Sequence, residues 1–358
     1  MVSKGKEKHF FLGGNTPKGF FSYYDHLVSQ EAARKIYCIK GGPGTGKSSL
    51  MKRIAAQMLK RGYDVEMMHC SSDCNSLDAI LIKPANIAFV DGTAPHVVDP
   101  KTPGAVDEII NLGACWNESA LRIYKEDIIR LNKSISEQFS RAYVYLGAAK
   151  KLLDDVDVIQ TSCINQSVYS NFLESILFHE FAELPISEVP GKIRRMFAGA
   201  ITPQGVVHYL DSILDGYKVY SIQGETGTLL NEVADIAVRR GFDAECYDCP
   251  FAPGEKCDHL LIPKLNLAFT TVNRYHRYQG GEQVDLREYI NGYLPERYQE
   301  ALEFDRKEAE RLTDRAIAMI AQAKKLHDEL EGFYVPNMDF SMVEEIYQHT
   351  LDEAITML

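Results

Sequence analysis

Short apolar runs alternate with amphipathic stretches along both halves of the 358-residue chain. In the first half, KHFFLGG, KIYCIKG, DVEMMHC and NIAFVDG have the length and apolar content of buried strands, and AILI is a fifth candidate. Helices are predicted over residues 20–28, a Tyr-rich segment, and over 47–61, where Gly62 is a usual C-terminal cap. Alternating strands and helices predict an α/β fold with a largely parallel sheet flanked by helices.

Beyond each strand-rich part the pattern changes to long helices. Residues 117–158 contain no Pro and place apolar side chains at helical spacing. Residues 295–332 show the same spacing after a Pro suited to a first helical turn. We expect these long α-helices to form a helical hairpin after each half, with shorter helices near 168–183 and 342–358 folding back against them. They either pack within the domain or project as an arm that binds a protein partner.

The two halves also repeat each other in sequence. FLGGNTPKGFFSYYDHL, which begins at Phe11, aligns with FAGAITPQGVVHYLDSI, which begins at Phe197, and KIYCIKGGPGT aligns with KVYSIQGETGT. The register continues through the next strands with only small changes of offset, which chance similarity would not maintain. The sequence therefore predicts two repeats with these bounds: 1–190, with a helical extension at about 115–185, and 191–358, with a helical extension at about 294–358.

GGPGTGKSS, residues 41–49, fits the pattern GxxxxGK followed by Ser or Thr, and it lies between a predicted strand and a predicted helix. Glycines in such a P-loop let backbone N–H groups turn inward around phosphates, and the N-terminus of the helix adds a favourable dipole. Lys47 would neutralise the β- and γ-phosphates, and the Ser48 hydroxyl would ligate Mg²⁺. The residues predicted to bind the nucleotide are Gly41, Gly42, Pro43, Gly44, Thr45, Gly46, Lys47, Ser48 and Ser49.

Two aspartates extend this candidate site for ATP and Mg²⁺. Asp91 ends the apolar strand NIAFVDG, where a carboxylate can hold Mg²⁺ beside a P-loop. Asp73 follows another strand, where it could act as the base that takes a proton from an acceptor hydroxyl. A solvated loop aspartate is the alternative interpretation of Asp73.

The second repeat lacks this chemistry. It has no counterpart of residues 46–49, and Thr271 stands where Asp91 stands in the first repeat. We therefore expect one nucleotide per chain and a second half that acts as a packing or regulatory partner. Arg274 or Arg277 could reach across as an arginine finger if the halves face each other.

Cysteines cluster in the second half, where Cys246, Cys249, Cys257 and His259 raise the question of a zinc site. Their spacing matches no zinc module, so structural cysteines at strand ends are the alternative. Eight cysteines scattered over the whole chain indicate reduced thiols and a cytoplasmic location.

The charge balance and the apolar runs exclude other classes. A net charge of -11 disfavours nucleic acid as a partner, because binding to phosphate backbones needs clustered Lys and Arg. No apolar run approaches the roughly 18 residues needed to span a bilayer, so we expect no membrane partner.

The stretches HCSSDCNSLD, IAFVDGTAPHVVDP and PGAVDEIINLG resemble a family of bacterial tandem P-loop ATPases. The resemblance extends over essentially the whole chain. It implies ATP binding and hydrolysis on a duplicated P-loop NTPase fold, and it implies no substrate. We expect a Mg²⁺-dependent ATPase with one functional site, whose hydrolysis moves the helical extensions or a bound partner. The alternatives are a kinase of a small molecule, with Asp73 as base, and a nucleotide-gated scaffold without turnover.

Overall fold

The computed structural model describes residues 3–93, 97–163, 165–181, 187–224, 227–273, 275–286 and 296–358. The strands of the first half are β1 (Glu7–Phe10), β2 (Gly13–Thr16), β3 (Gly19–Ser22), β4 (Lys35–Lys40), β5 (Val65–His69), β6 (Leu77–Ile82), β7 (Ile87–Asp91) and β8 (Asp107–Asn111). Its helices are α1 (Lys47–Lys60), α2 (Glu118–Ile123), α3 (Lys125–Ser162) and α4 (Gln166–Phe181).

The second half has a matching set of elements. Its strands are β9 (Ile193–Met196), β10 (Gly199–Thr202), β11 (Gly205–His208), β12 (Lys218–Gln223), β13 (Ala244–Asp248), β14 (Cys257–Ile262), β15 (Leu267–Val272) and β16 (Glu282–Asp285). Its helices are α5 (Leu210–Leu214), α6 (Leu229–Arg239), α7 (Glu296–Tyr334) and α8 (Phe340–Thr356).

Each half contains one six-stranded, mostly parallel sheet. The order is β1-β5-β6-β7-β4-β8 in the first and β9-β13-β14-β15-β12-β16 in the second. β6 and β14 run antiparallel to both of their neighbours, and the remaining neighbours are parallel. The two halves therefore share strand order and direction, and the predicted α/β class is confirmed.

The helix predicted over residues 20–28 is wrong. β2 and β3 form an antiparallel hairpin, and only a short 3₁₀ turn, Tyr24–His26, follows it. The Thr16 hydroxyl donates to the Gly19 carbonyl at 2.8 Å, and Gly19 has a φ of 97°, so the chain doubles back at this point. Thr202 and Gly205 close the equivalent β10–β11 hairpin with the same bond at 2.8 Å.

The two halves meet through equivalent residues. Phe11 and Phe197 exchange two backbone hydrogen bonds of 2.9 Å each. One buried cluster contains side chains of both halves, among them Leu12 and Leu210. This contact region around Phe11 and Phe197 is the seam between the halves, and its reciprocal bonds indicate a local two-fold relation.

The helical hairpin prediction is confirmed only in part. Both long helices are present, but α3 of the first half packs against α7 of the second. The Tyr145 hydroxyl interacts with Arg315, whereas the ring of Tyr124, directly before α3, lies 5.0 Å from the ring of Phe333, later in α7. The two helices are therefore antiparallel. Small buried residues such as Ala142 and Ala316 allow their close approach.

The shorter helices pack on the sheets instead of on the long helices. α8 buries Tyr347 and Leu351 in a cluster with α1 and the first sheet. α4 buries Ile176 and Phe181 in a cluster with the second sheet. Each half thus ends in a helix that covers the sheet of the other half. Within the described ranges, every helix is too short or too polar to cross a lipid bilayer.

Candidate functional site

The loop between β4 and α1 has the shape that its glycines predict. Gly44 and Gly46 have φ values of 67° and 90°, which side-chain-bearing residues rarely adopt. The buried Thr45 hydroxyl donates to the Gly42 carbonyl at 2.9 Å and holds the turn closed. The loop therefore has a fixed conformation at the N-terminus of α1, where backbone N–H groups favour anions.

Lys47 places its charge at the centre of this loop. Its Nζ donates to the carbonyls of Gly41 and Gly42 at 2.8 Å each, and it lies 3.6 Å from Oδ2 of Asp91. The Lys47 side chain is 13 % exposed and that of Asp91 is 15 % exposed, so solvent screens this ion pair only in part. The structure thus brings together the cation and the carboxylate that the sequence predicts.

Thr93 is a member of the site that sequence analysis missed. Its hydroxyl donates to the Gly41 carbonyl at 2.8 Å, and its backbone N–H donates to Oδ1 of Asp91 at 2.9 Å. It therefore fastens the Asp91 carboxylate to the loop. The sequence does show a Thr two positions after Asp91, but a Thr at that position is compatible with many other structural roles.

Ser48 and Asp91 could hold Mg²⁺. The Ser48 hydroxyl accepts a bond from the Leu77 backbone N–H at 3.0 Å, which fixes its position in the first turn of α1. A hydroxyl and a carboxylate are the hard oxygen donors that this cation prefers. Ser49, next along the helix, is exposed.

Asp73 lies at the rim of the site. Its Oδ1 accepts the Asn75 backbone N–H at 3.0 Å and its Oδ2 accepts the Ser76 hydroxyl at 3.2 Å, which closes the turn that leads to Leu77. Its carboxylate also lies 3.5 Å from Nζ of Lys324 on α7. Asp73 is thus a partly exposed loop residue, as its alternative interpretation expects, and its catalytic role stays a prediction.

The C-terminal end of α7 together with the next residue, residues 324–335 (the α7 end), covers the loop, and sequence analysis did not foresee this. A Cβ built on Gly44 would lie 2.6 Å from Cγ2 of Val335, and one built on Gly42 would lie 3.3 Å from Cε1 of Tyr334. The sequence analysis instead expected Arg274 or Arg277 of the second half to extend to this site. Arg274 lies outside the described residues, and Arg277 is exposed.

A cluster of ionisable side chains lies on this end of α7. Ligand atoms of His327, Asp328 and Glu331 are all within 4.8 Å of one another. Burial lowers the pKa of His327, and the charges of Lys324 and Lys47 lower it further against the opposing effect of the two acids. Lys47 therefore lies within electrostatic reach of the α7 end.

The corresponding part of the second half carries other residues. Between β12 and α6, residues 225–226 lie outside the described residues. Thr271 is buried in β15 and brings no carboxylate to that place. The sequence differences between the repeats thus fall at equivalent positions of two similar sheets.

The cysteine-rich stretch shows no zinc geometry. Cys257 donates through Sγ to the His259 carbonyl at 3.1 Å, and Nδ1 of His259 lies 2.7 Å from the Thr270 hydroxyl. All eight cysteines are free thiols. Among the described residues, His327, Asp328 and Glu331 on α7 are the potential metal ligands that lie close together, and no cysteine is among them.

Comparison with models of protein families, with curated proteins and with solved structures finds no match to this chain. The functional assignment therefore depends on the geometry and chemistry of the loop.

Proposed function

We propose that the chain is a Mg²⁺-dependent ATPase with one functional nucleotide site, in the first half, and a degenerate second half. The observation that carries this proposal is the position of Lys47. Its ammonium lies inside a loop shaped by Gly44 and Gly46, 3.6 Å from the carboxylate of Asp91. Carbonyl oxygens of the loop hold the ammonium where phosphate oxygens would replace them.

The residues of the loop have separate roles in this proposal. Backbone N–H groups at the start of α1 bind the phosphates, and Lys47 exchanges its bonds to Gly41 and Gly42 for bonds to phosphate oxygens. Ser48 and Asp91 would hold Mg²⁺, which supplies charge neutralisation at the β- and γ-phosphates. Hydrolysis adds water to the γ-phosphorus and breaks its bond to the bridging oxygen, so ADP and inorganic phosphate are the products.

The α7 end supports coupling of hydrolysis to movement. Val335, directly after α7, abuts Gly44, and Lys324 on α7 pairs with Asp73 beside the loop, so a shift of the loop would press on the α7 end. Because α7 packs along α3, a shift at the loop would move both long helices. Hydrolysis of the nucleotide would thus move the surface of α3 and α7 to which a protein partner would bind.

A kinase is the second candidate, and one observation favours it. The turn that carries Asp73 is bonded to Ser48 through Leu77, which holds this carboxylate at the rim of the site. Asp73 would have to leave Lys324 before it could accept a proton. Phosphate release without an acceptor supports the ATPase, whereas ADP formation that needs an added small-molecule acceptor supports the kinase.

Replacement of Lys47 tests the proposed function. We expect calorimetry to show one Mg-ATP per chain, and Lys47→Ala to weaken binding roughly 10- to 150-fold, the value of a charge-assisted hydrogen bond of about 1.5–3 kcal/mol. Lys60→Ala, at the far end of the same helix, is the matched control and should bind as the unmodified protein does. Two ATP per chain, or an unchanged affinity of the Lys47 variant, would contradict the proposal.

A further inference from the structure

An open cleft lies beside the P-loop and is lined by residues 114–117 of the first half and residues from 336–342 of the second. Its volume is about 510 Å³, within the range of small-molecule sites. Its lining includes Trp116, Asn337, Asp339, Phe340 and Met342. We call this feature the side cleft.

The side cleft begins where the loop ends. A Cβ built on Gly42 would lie 3.0 Å from Cζ3 of Trp116, so the indole ring contacts the loop, and Trp116 is also one of the residues that line the cleft. On the other wall, Val335 abuts Gly44 and is followed at once by the first cleft residue of that wall. A ligand whose phosphates lie in the loop therefore has the cleft within reach of its remaining part.

The two walls are bonded to each other. The Asn117 backbone N–H donates to the Asn337 carbonyl at 2.8 Å, and the Asp339 backbone N–H donates to the Cys115 carbonyl at 2.7 Å. Asp339 also caps α8 through its side chain, which accepts the Ser341 backbone N–H at 3.0 Å. The walls are thus preformed, which reduces the ordering that a ligand must impose.

The side cleft offers apolar side chains together with polar groups, as a base and ribose require, and its lining residues include no cation that would bind a phosphate. Trp116 is half-buried, and Phe340 and Met342 are 48 % and 42 % exposed, so large apolar surfaces stand in water beside an anion site. Among the lining residues the charged side chain is Asp339, which would repel a phosphate. Aromatic side chains bind nucleobases by stacking, with little dependence on the base edge.

We propose that the side cleft receives the base and ribose of the nucleotide whose phosphates occupy the P-loop, with Trp116 as the stacking surface. This inference rests on the proposed function. The ligand class is a purine nucleoside triphosphate, because a purine offers the larger face for stacking. Since one wall comes from each half, the bound nucleotide spans both halves, and the second half contributes to the site although its own loop is degenerate.

Tripolyphosphate separates the two parts of the site, because it carries the phosphates without the base. We expect the unmodified protein to bind Mg-ATP more tightly than Mg-tripolyphosphate in calorimetry. Trp116→Leu should weaken ATP binding roughly 5- to 150-fold, the range of one stacked base, and leave tripolyphosphate binding unchanged. Phe304→Leu, at an aromatic residue that is 60 % exposed elsewhere on α7, is the matched control and should change neither affinity.

Fluorescence gives an independent readout, since Trp116 is the single tryptophan of the chain. Because its ring also contacts the loop, both ligands can change its emission, and ATP should change it more than tripolyphosphate does. Retained tripolyphosphate binding shows that Trp116→Leu is folded. If that variant does not fold, Trp116→Phe, which keeps a smaller ring, should show a smaller loss of ATP affinity.

The possible failures are distinguishable. An unmodified protein that binds neither ATP nor tripolyphosphate contradicts the proposed function. ATP and tripolyphosphate affinities that are equal in the unmodified protein, or an ATP affinity that Trp116→Leu leaves intact, overturn the base site alone and assign the side cleft to another occupant.

Discussion

Arg194 and Glu66 form a buried ion pair across the seam. Nη1 and Nη2 of Arg194 donate to the two oxygens of Glu66 at 3.0 and 2.7 Å, and Nε donates to the His26 carbonyl at 2.8 Å. Burial alone would raise the pKa of Glu66, but the charge and hydrogen bonds of Arg194 outweigh it and lower the pKa to about 2. Lys8 of the first half and Glu245 of the second form the equivalent ion pair, in which the halves that supply the cation and the acid are exchanged.

Removal of one partner from this pair should be costly, because it leaves a buried charge. We expect Arg194→Met to reduce the free energy of unfolding by about 3 kcal/mol at pH 7, at the lower end of the usual range since Lys83 also lies 3.3 Å from Glu66. The measurement is urea unfolding. The double variant Arg194→Met with Glu66→Leu should recover most of the loss.

Lowering the pH should remove the stabilisation that the Arg194–Glu66 ion pair provides. Because the pKa of Glu66 is lowered on folding, its stabilisation is present above the unfolded value of 4.5 and is lost as the pH falls from there towards 2. The difference between Arg194→Met and the unmodified protein should therefore shrink over that interval. A difference that is absent at pH 7 would show that the pair contributes nothing to stability.

Among individual residues, those of the P-loop were predictable and their surroundings were not. Lys47 and Ser48 follow from a local pattern, since the strand, the turn and the helix that position them are consecutive in the chain. Trp116 and Val335 reach the loop from positions far along the sequence. Nothing local in the sequence indicates such contacts.

At the scale of elements, α8 is the feature with the largest effect on the first sheet. Its buried face, which includes Val343, Tyr347, Leu351 and Ala354, completes the cluster formed by α1 and the sheet. It comes from the C-terminal end of the other half. The first sheet therefore depends on a segment that is remote in sequence.

Truncation of a buried side chain on α8 measures that dependence. Leu351→Ala should lower the free energy of unfolding by about 2–4 kcal/mol, because the cavity adds to the lost burial. Glu345→Ala, on the exposed face of the same helix, should change it by less than about 0.5 kcal/mol. Equal effects of the two substitutions in a denaturant titration would show that α8 is detached from the sheet in solution.

The strands that lie inside the sheets were predicted well because most of their residues are apolar and buried. β6 and β7 are examples. β8 was missed, since its sequence DEIIN carries charge and it lies at the edge of the sheet. The long helices were predicted from their spacing, but the choice of partner for α3 and α7 depends on how the halves meet, which helical spacing does not encode.

Across the whole molecule, the local two-fold relation conceals a chemical difference between equivalent positions. Arg195, Asp248 and Tyr23 form one cluster, in which Arg195 donates to Asp248 at 2.8 Å. The equivalent residues of the other cluster are His9, His69 and Tyr209. Nδ1 of His9 lies 2.9 Å from Nε2 of His69, and the rings of His69 and Tyr209 are stacked at 4.3 Å. One side of the seam is therefore ionic and the other is aromatic.

The aromatic cluster should make the seam sensitive to acid. Burial, with a smaller effect of nearby cationic groups, lowers the pKa of His69 to about 4, so the unfolded chain binds a proton at this residue before the folded protein does. Its contribution to stability is complete above pH 6.5 and falls by up to about 3 kcal/mol as the pH drops to 4. We expect His69→Phe to flatten the pH dependence of thermal unfolding over that interval.

His349 provides the control for this measurement, because it is exposed on α8. His349→Phe should leave the pH dependence as it is. A slope between pH 6.5 and 4 that persists unchanged in His69→Phe would place the acid sensitivity elsewhere in the protein.

The exchange of α4 and α8 between the halves has a consequence for synthesis on the ribosome. The first sheet emerges early, but α8, the helix that covers one of its faces, is translated only after the second sheet and both long helices. A nascent chain therefore exposes that apolar face until α8 has emerged, and chaperones would have to protect it over that interval. A message that stops before α8 would yield a product open to proteolysis, even though it encodes every residue of the P-loop.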